Sequence, residues 1–296
     1  MIHPVIFYRN FKRIRRLFKS FQLSCHDLVL DIGSGQNPNP RSNVLCDRFL
    51  FDHTERNKVP AVIDRPMVVG DATNLPFKDN VFDFVICSHL LEHVNEPEKI
   101  ISEIQRVGKR GYIETPSSVW EKIHSFPFHR WYVHKNNGTL IFRAKERLIH
   151  DPELKNWVKE VLSKKSNGLD FENRIYDLGT LVQYHWEDEI NFKVDRGRGL
   201  NSDFEQSQEY HEHELKEQVL QEPRSFGTKI IDQWGVHLRK KSSHRLIHFE
   251  NLIALCACPT CKGNIEINDN DLHCSRCKKV YKIRVIGNIQ VPLLIP

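Results

Sequence analysis

No stretch of this 296-residue chain approaches the ~18 uninterrupted apolar residues that a membrane-spanning helix needs. It also lacks an internal repeat, a low-complexity tract and a large excess of either charge: 43 basic and 38 acidic side chains leave a net +5. With 40% hydrophobic and 27% charged residues, a disordered or collagen-like chain is excluded. The opening MIHPVIFYRNFKRIRR reaches arginine too early for a secretory apolar segment and shows no small-residue cleavage site. A cytoplasmic protein of about two domains is expected.

What is present begins with eight cysteines. Cys25, Cys46, Cys87 and Cys256 sit among apolar neighbours and read as small buried hydrophobes. The others form Cys258-x2-Cys261-x12-Cys274-x2-Cys277, which in a reducing compartment reads as metal ligation. Two Cys-x2-Cys turns supply the four soft ligands of a tetrahedral ion, with Pro259, Lys262 and Gly263 as the first turn's chemistry. Structural Zn2+ is expected, with iron as the thiolate alternative. Four thiolates leave no open position for catalysis.

Four segments follow from composition. Over residues 1–24, Phe7, Phe11, Ile14, Phe18 and Phe21 form one helical stripe with a basic remaining surface. Such a helix suits packing on the following sheet, peripheral membrane contact or phosphate contact. Residues 25–197 alternate buried strands at 27–33, 43–47, 66–71, 82–89 and 110–116 with polar connections. Ile100, Ile101, Ile104 and Val107 make a helical face within 95–109, stopped by Gly108. The fold class is therefore α/β, a Rossmann-like mostly parallel sheet. Asn137-Gly138 marks a hairpin over 130–145, a helix is expected over 151–165, and 181–186 with 190–195 reads as a second hairpin. Residues 198–250 are an acidic linker with a short helix, and 251–296 hold the cysteine module, a small zinc ribbon.

The strand Val29–Ile32 runs into Gly33-Ser34-Gly35, so that Asp31, Gly33 and Gly35 form an acid-x-Gly-x-Gly turn. Asp47 ends the next strand, Gly70-Asp71-Ala72-Thr73-Asn74-Leu75-Pro76-Phe77 follows the third, and Ser88-His89-Leu90-Leu91-Glu92-His93-Val94 follows the fourth. This ordered series resembles the class I S-adenosylmethionine-dependent methyltransferases, especially the small-molecule-type (type 11-like) subgroup. The resemblance covers about residues 27–116 closely and 117–197 loosely. It implies that Asp31, Gly33 and Gly35 contact the methionine end of the cofactor, Asp47 the ribose, and Asp71 with Ala72 the adenine. Ser88 and His89 would floor the site near the reactive methyl. Pro38 and Pro40 leave little room for the usual first crossover helix, so a loop is expected there, with Asp52 as a fallback ribose ligand. A nicotinamide fingerprint fits worse, because Pro38 occupies the third-glycine position.

Methyl transfer from a sulfonium depends on alignment, and a general base is needed only for a weak nucleophile. Candidates are Glu92 and His93, expected at the head of the helix after strand four, and Glu114 at the end of strand five. Each also has a plain structural reading, as a helix cap or an ion-pair partner. His129, Arg130 and Trp131 are candidates for an anionic or sugar-like acceptor, or else part of an aromatic mini-core beneath the hairpin. His124, His129 and His134 recur every five residues, which fits no single helix or strand face.

The cysteine module is similar to a zinc-ribbon family whose free-standing members activate methyltransferases as adaptor subunits. Tyr281-Lys282-Ile283 and Gly287-Asn288-Ile289 keep the rhythm of that family's tail but lose a proline and an acid. A fused stabilising or substrate-presenting module is expected. The favoured function is an enzyme methylating a small molecule, glycan or lipid-linked intermediate. Two alternatives stay open, an RNA or protein methyltransferase gripping its substrate with the ribbon, and a non-catalytic cofactor-binding or adaptor protein. Net +5 and the acidic 203–222 stretch argue against a continuous track for nucleic acid.

Overall fold

The structure, a computed structural model, describes residues 23–50, 60–146, 179–197 and 247–295, apart from Cys25, Ser125 and Pro127, together with positions 153, 156 and 160. The basic helix expected over 1–24, most of the helix expected at 151–165, the stretch 198–246 and Asp52 lie outside the described residues.

Short apolar runs with no alternation form the strands that must be covered on both faces. They are β1 (Val29–Ile32), β2 (Val44–Asp47), β3 (Met67–Val69), β4 (Phe84–Ser88) and β5 (Arg110–Pro116). With β8 (Leu181–Glu187) they build one sheet in the order β3-β2-β1-β4-β5-β8, parallel except for β8. Helix α1 (Pro97–Val107) starts at a proline, where the missing N–H costs nothing, and buries Ile100, Ile101, Ile104 and Val107. The N–H of Gly108 closes it on the Ile104 carbonyl.

Helix α2 (Ser118–His124) follows β5. Then β6 (Trp131–Asn136) and β7 (Thr139–Ala144) make the hairpin expected around Asn137-Gly138, both of which adopt positive φ. The second expected hairpin does not form. Glu187 and Glu189 share only a single bridge, β8 pairs antiparallel with β5, and β9 (Phe192–Asp195) pairs parallel with β7. Burial decides this: Val182, Tyr184 and Trp186 alternate inward on β8 and are used at the free edge of β5.

The C-terminal module comprises α3 (Phe249–Leu255) and an antiparallel sheet of β10 (Ile265–Asn268), β11 (Asp271–Cys274), β12 (Val280–Ile286) and β13 (Ile289–Pro292). It is joined to the main sheet through the segment after β3. Ala257 N–H donates to the Pro76 carbonyl (3.0 Å), Lys78 N–H to Leu255 (2.9 Å) and Leu294 N–H to Val69 (2.9 Å). Asn74 Nδ2 donates to the Pro259 carbonyl at 2.7 Å. Leu252, Ile253, Leu272 and Tyr281 belong to the same buried cluster as Leu30, Phe77 and Ile104, so the two sheets share one core.

Candidate active site and cysteine cluster

Strand order reverses between β1 and β4, and a doubly wound sheet offers its ligand crevice at the carboxyl ends of such strands. Gly33 (φ +65°) and Gly35 (φ +47°) turn the chain there in the left-handed region. A Cβ on Gly33 would come within 3.2 Å of the Leu90 side chain. As the two prolines imply, no helix follows within 33–43. The loop is pinned instead by Asn39 N–H donating to Asp31 Oδ2 at 2.6 Å and Ser42 N–H to the Asn39 carbonyl at 3.1 Å.

Burial pushes the Asp31 carboxyl up to about 7, against the lowering effect of the Asn39 N–H and the Arg65 guanidinium. Asp47 accepts from Gly35 N–H (3.0 Å) and Phe49 N–H (2.9 Å). Asp71 accepts from Thr73 N–H (2.9 Å) and its hydroxyl (2.7 Å), capping a single 3-10 turn over Ala72–Asn74, while its other oxygen meets Arg48 at 2.9 Å. Ser34 Oγ and Gln36 Oε1 are buried with no hydrogen-bond partner among the described residues. Unpaired polar atoms on the loop that follows a buried carboxyl at the switch point suit a polar ligand.

At the end of β4, Ser88 leads into His89, which adopts φ +54° and donates its N–H to the Glu114 carbonyl at 2.8 Å. Its ring lies between two carboxylates, Nδ1 3.3 Å from Glu92 Oε1 and Nε2 3.4 Å from Glu114 Oε1. Burial lowers the imidazole, but the two carboxylates outweigh it and raise His89 to about 10. Burial raises Glu114, yet His89, the Tyr112 hydroxyl and Gln183 Nε2 (3.0 Å) bring it down to about 2. Burial lowers His93 to about 4. Glu92 and His93 are not at a helix head: they occupy a turn, and α1 begins only at Pro97, where the proline sets the first helical position. Glu114 pairs with a histidine, a tyrosine and a glutamine rather than an arginine.

The three acceptor candidates are held in different ways. Trp131 is buried with its indole N–H on the Val94 carbonyl at 2.6 Å, and Arg130 N–H donates to the Glu92 carbonyl at 2.7 Å. His129 is buried, with Nδ1 hydrogen-bonded to Glu121 Oε1. Glu121 in turn accepts from the buried ammonium of Lys145 at 2.5 Å. These contacts accord with the mini-core reading beneath the hairpin. Glu121 and Lys145 escaped sequence reasoning because 24 positions separate them and neither stands in a motif. A charged residue on a short helix facing a strand end was the only signal.

The four module cysteines converge as expected. Cys258 Sγ lies 3.6 Å from Cys277 Sγ, Cys261 Sγ lies 3.4 Å from Cys274 Sγ, and all four sulfurs fall within 4.8 Å of one another. A tetrahedron with Zn–S bonds of ~2.3 Å has edges of about 3.8 Å, so the donor set fits such an ion. Lys262 and Lys278, each just after the second cysteine of its turn, adopt positive φ and wrap the chain around the thiols. Cys46, Cys87 and Cys256 are buried among apolar side chains.

Residues 46–113 match the family described as the methyltransferase domain. That is the segment carrying Asp47, Asp71 and Glu92. The chain is 39% identical over 88 residues to a demethylmenaquinone methyltransferase of Renibacterium salmoninarum, covering 28% of this chain and 37% of that protein. It is 32% identical over 117 residues to the demethylmenaquinone methyltransferase of Paenarthrobacter aurescens, covering 38% and 46% respectively. The chain thus spans less than half the length of these curated relatives. A solved complex between the Haloferax volcanii Trm112 methyltransferase activator and a putative methyltransferase aligns with 61% of this chain and 91% of that one, at 15% identity and a TM-score of 0.37.

Proposed function

We propose that this protein is an S-adenosylmethionine-dependent methyltransferase acting on a small molecule, with a structural Zn2+ ribbon fused to its catalytic domain. The observation that carries the reading is the set of groups at the β1/β4 switch point, where the Asp31 carboxyl is buried and, on the loop that follows, Ser34 Oγ and Gln36 Oε1 are buried without a hydrogen-bond partner among the described residues. The methyltransferase-domain match over residues 46–113 supports the same chemistry.

Bound there, the cofactor supplies an electrophilic methyl on a sulfonium. Asp31 would hold its ammonium, with the backbone of Gly33 and Gly35 close by, Asp47 its ribose, and Asp71 with Ala72 its adenine. Ser88 and His89 would floor the site. Glu92 and Glu114, facing its two ring nitrogens, raise His89 to about 10, so it would not serve as the base that removes a proton from an acceptor. Glu114 already accepts from Tyr112 and Gln183.

A small acceptor would find room in an open depression of about 390 Å3 between β5, β6 and β8, lined in part by Ser117, His134, Lys135, Leu181 and Gln183. Gln183 links it to Glu114. The relatives named for demethylmenaquinone methylation point the same way. Cys258, Cys261, Cys274 and Cys277 would hold the Zn2+. The first cysteine turn is occupied by contacts to the main domain, which favours a stabilising part over an arm that grips a polymer.

Calorimetric titration with S-adenosylmethionine, followed by methyl-label transfer into size-fractionated, nuclease-treated cell extract, tests the reading. Binding with label in small-molecule fractions is expected, and loss of binding in the Asp31→Ala/Asp71→Ala double variant. Nuclease-sensitive label, or binding without transfer, would overturn the substrate class or the activity.

A further inference from the structure

Two loops far apart in sequence meet behind His89. The turn after β4 brings Glu92 and His93, and the residue two before β6 brings His129, so that one ligand atom from each lies within 4.8 Å of the others. Glu92 is 1% exposed, and neither of its oxygens accepts a hydrogen bond from the described residues. The nearest ring nitrogens are His89 Nδ1 at 3.3 Å and His93 Nε2 at 4.0 Å. His93 Nδ1 is likewise buried without a partner.

A carboxylate withdrawn from water, with the His89 ring facing Oε1 alone and Oε2 left without a partner among the described residues, is incompletely satisfied, and a bound cation removes that cost. His129 is already set up as a ligand. Glu121 engages its Nδ1, Lys145 fixes Glu121 from the far side, and Nε2 remains as the nitrogen to offer. A second carboxylate behind a ligating imidazole, fixing its tautomer and raising its basicity, is the usual support of a histidine metal ligand. The loops are also clamped together, by Arg130 N–H on the Glu92 carbonyl and Trp131 Nε1 on the Val94 carbonyl.

We propose that Glu92, His93 and His129 form a second metal site, which takes a divalent transition-metal cation on two imidazoles and one carboxylate and keeps its other positions open for water or an acceptor oxygen. The donor set suits Zn2+, Co2+ or Fe2+ better than Mg2+ or Ca2+, which prefer oxygen alone. It is unlike the four-thiolate cluster, which is closed. The inference does not rest on the methyltransferase reading, since occupancy of the site is measured without cofactor or acceptor.

The full-length chain, with its four-cysteine site loaded with zinc, is titrated with Co2+ and followed by visible absorption and by metal analysis. One further equivalent is expected, with ligand-field bands and no thiolate-to-cobalt charge-transfer band. Glu92→Gln and His129→Ala each weaken that equivalent about 10-fold or more. Glu121→Gln, a positioning variant, weakens it less and leaves the stoichiometry unchanged. A wild-type chain that takes up no further equivalent overturns the site and leaves Glu92 as a histidine-paired carboxylate. Undiminished affinity in both ligand variants overturns it too, and if His129→Ala fails to fold, wild-type stoichiometry and Glu92→Gln decide.

Discussion

The ammonium of Lys262, on the first cysteine turn, lies 3.0 Å from the carbonyl oxygen of Leu75, in the loop that carries Asp71 and Ala72. The same ammonium faces Glu103 at 3.4 Å, and Glu103 pairs with Arg106 at 2.7 Å. Arg106 donates onward to the carbonyls of Leu75 (2.9 Å) and Phe77 (2.7 Å). One chain of charges thus ties the cysteine module, helix α1 and the loop after β3 into a single unit.

Lys262→Ala should therefore act on the sheet domain as well as on the module. The side chain is partly exposed, so screening keeps the loss to about 1 kcal/mol. A fall in thermal midpoint with a several-fold weaker cofactor affinity is expected. Unchanged affinity with a lowered midpoint would separate the module from the crevice.

Because the two sheets share one core, they should unfold together. If the cysteine cluster holds the proposed ion, Cys274→Ser, or treatment with a strong chelator, is expected to lower the midpoint of one common transition by ~10 °C or more. Two separate calorimetric transitions in the zinc-loaded protein would contradict this.

Asp31 gives a pH signature. Its folded value is about 7 and its ordinary value 3.8, so the ligand-free folded chain retains a proton between those limits that the unfolded chain has lost. The contribution to stability is complete below about pH 4 and falls away as pH rises through 7, by on the order of 4 kcal/mol. A cationic cofactor binds the ionised form, so its affinity should be full above pH 7 and drop about tenfold per pH unit below. Asp31→Asn should raise the ligand-free midpoint at pH 8 and abolish cofactor binding. Affinity independent of pH between 6 and 8 would exclude the proposed ammonium contact.

The buried pair Glu121–Lys145 gives a test by cancellation. Glu121→Ala leaves an unpaired ammonium in the core and should cost about 3–5 kcal/mol. Replacing both, as Glu121→Gln with Lys145→Met, should recover most of that loss in a denaturant melt. A double variant as unstable as the single one would mean that packing, not charge, dominates there.

Much of the sheet was legible because unbroken runs such as Val29–Ile32 and Phe84–Ser88 admit few alternatives to a strand buried on both faces. The Asn137-Gly138 hairpin and the Pro97 helix start were legible for the same local reason, since their backbone geometry is set by one or two residues. The destination of β8 was not. Alternation shows that Val182, Tyr184 and Trp186 face inward but does not say which edge they cover, and β5 competes with β9 for that pairing.

What the sequence determined by itself is local or short-range: the glycine turn after β1, an acid at successive strand ends, and four cysteines spaced so that two tight turns present their sulfurs to one point. What only the tertiary structure decided is which distant groups share a dry space. His129 reaches Glu92 and His93, Lys145 reaches Glu121, and Lys262 reaches Leu75 because sheet and hairpin pack around one core. Contact between such groups depends on how packed elements close on one another, and the spacing of residues along the chain carries no record of it.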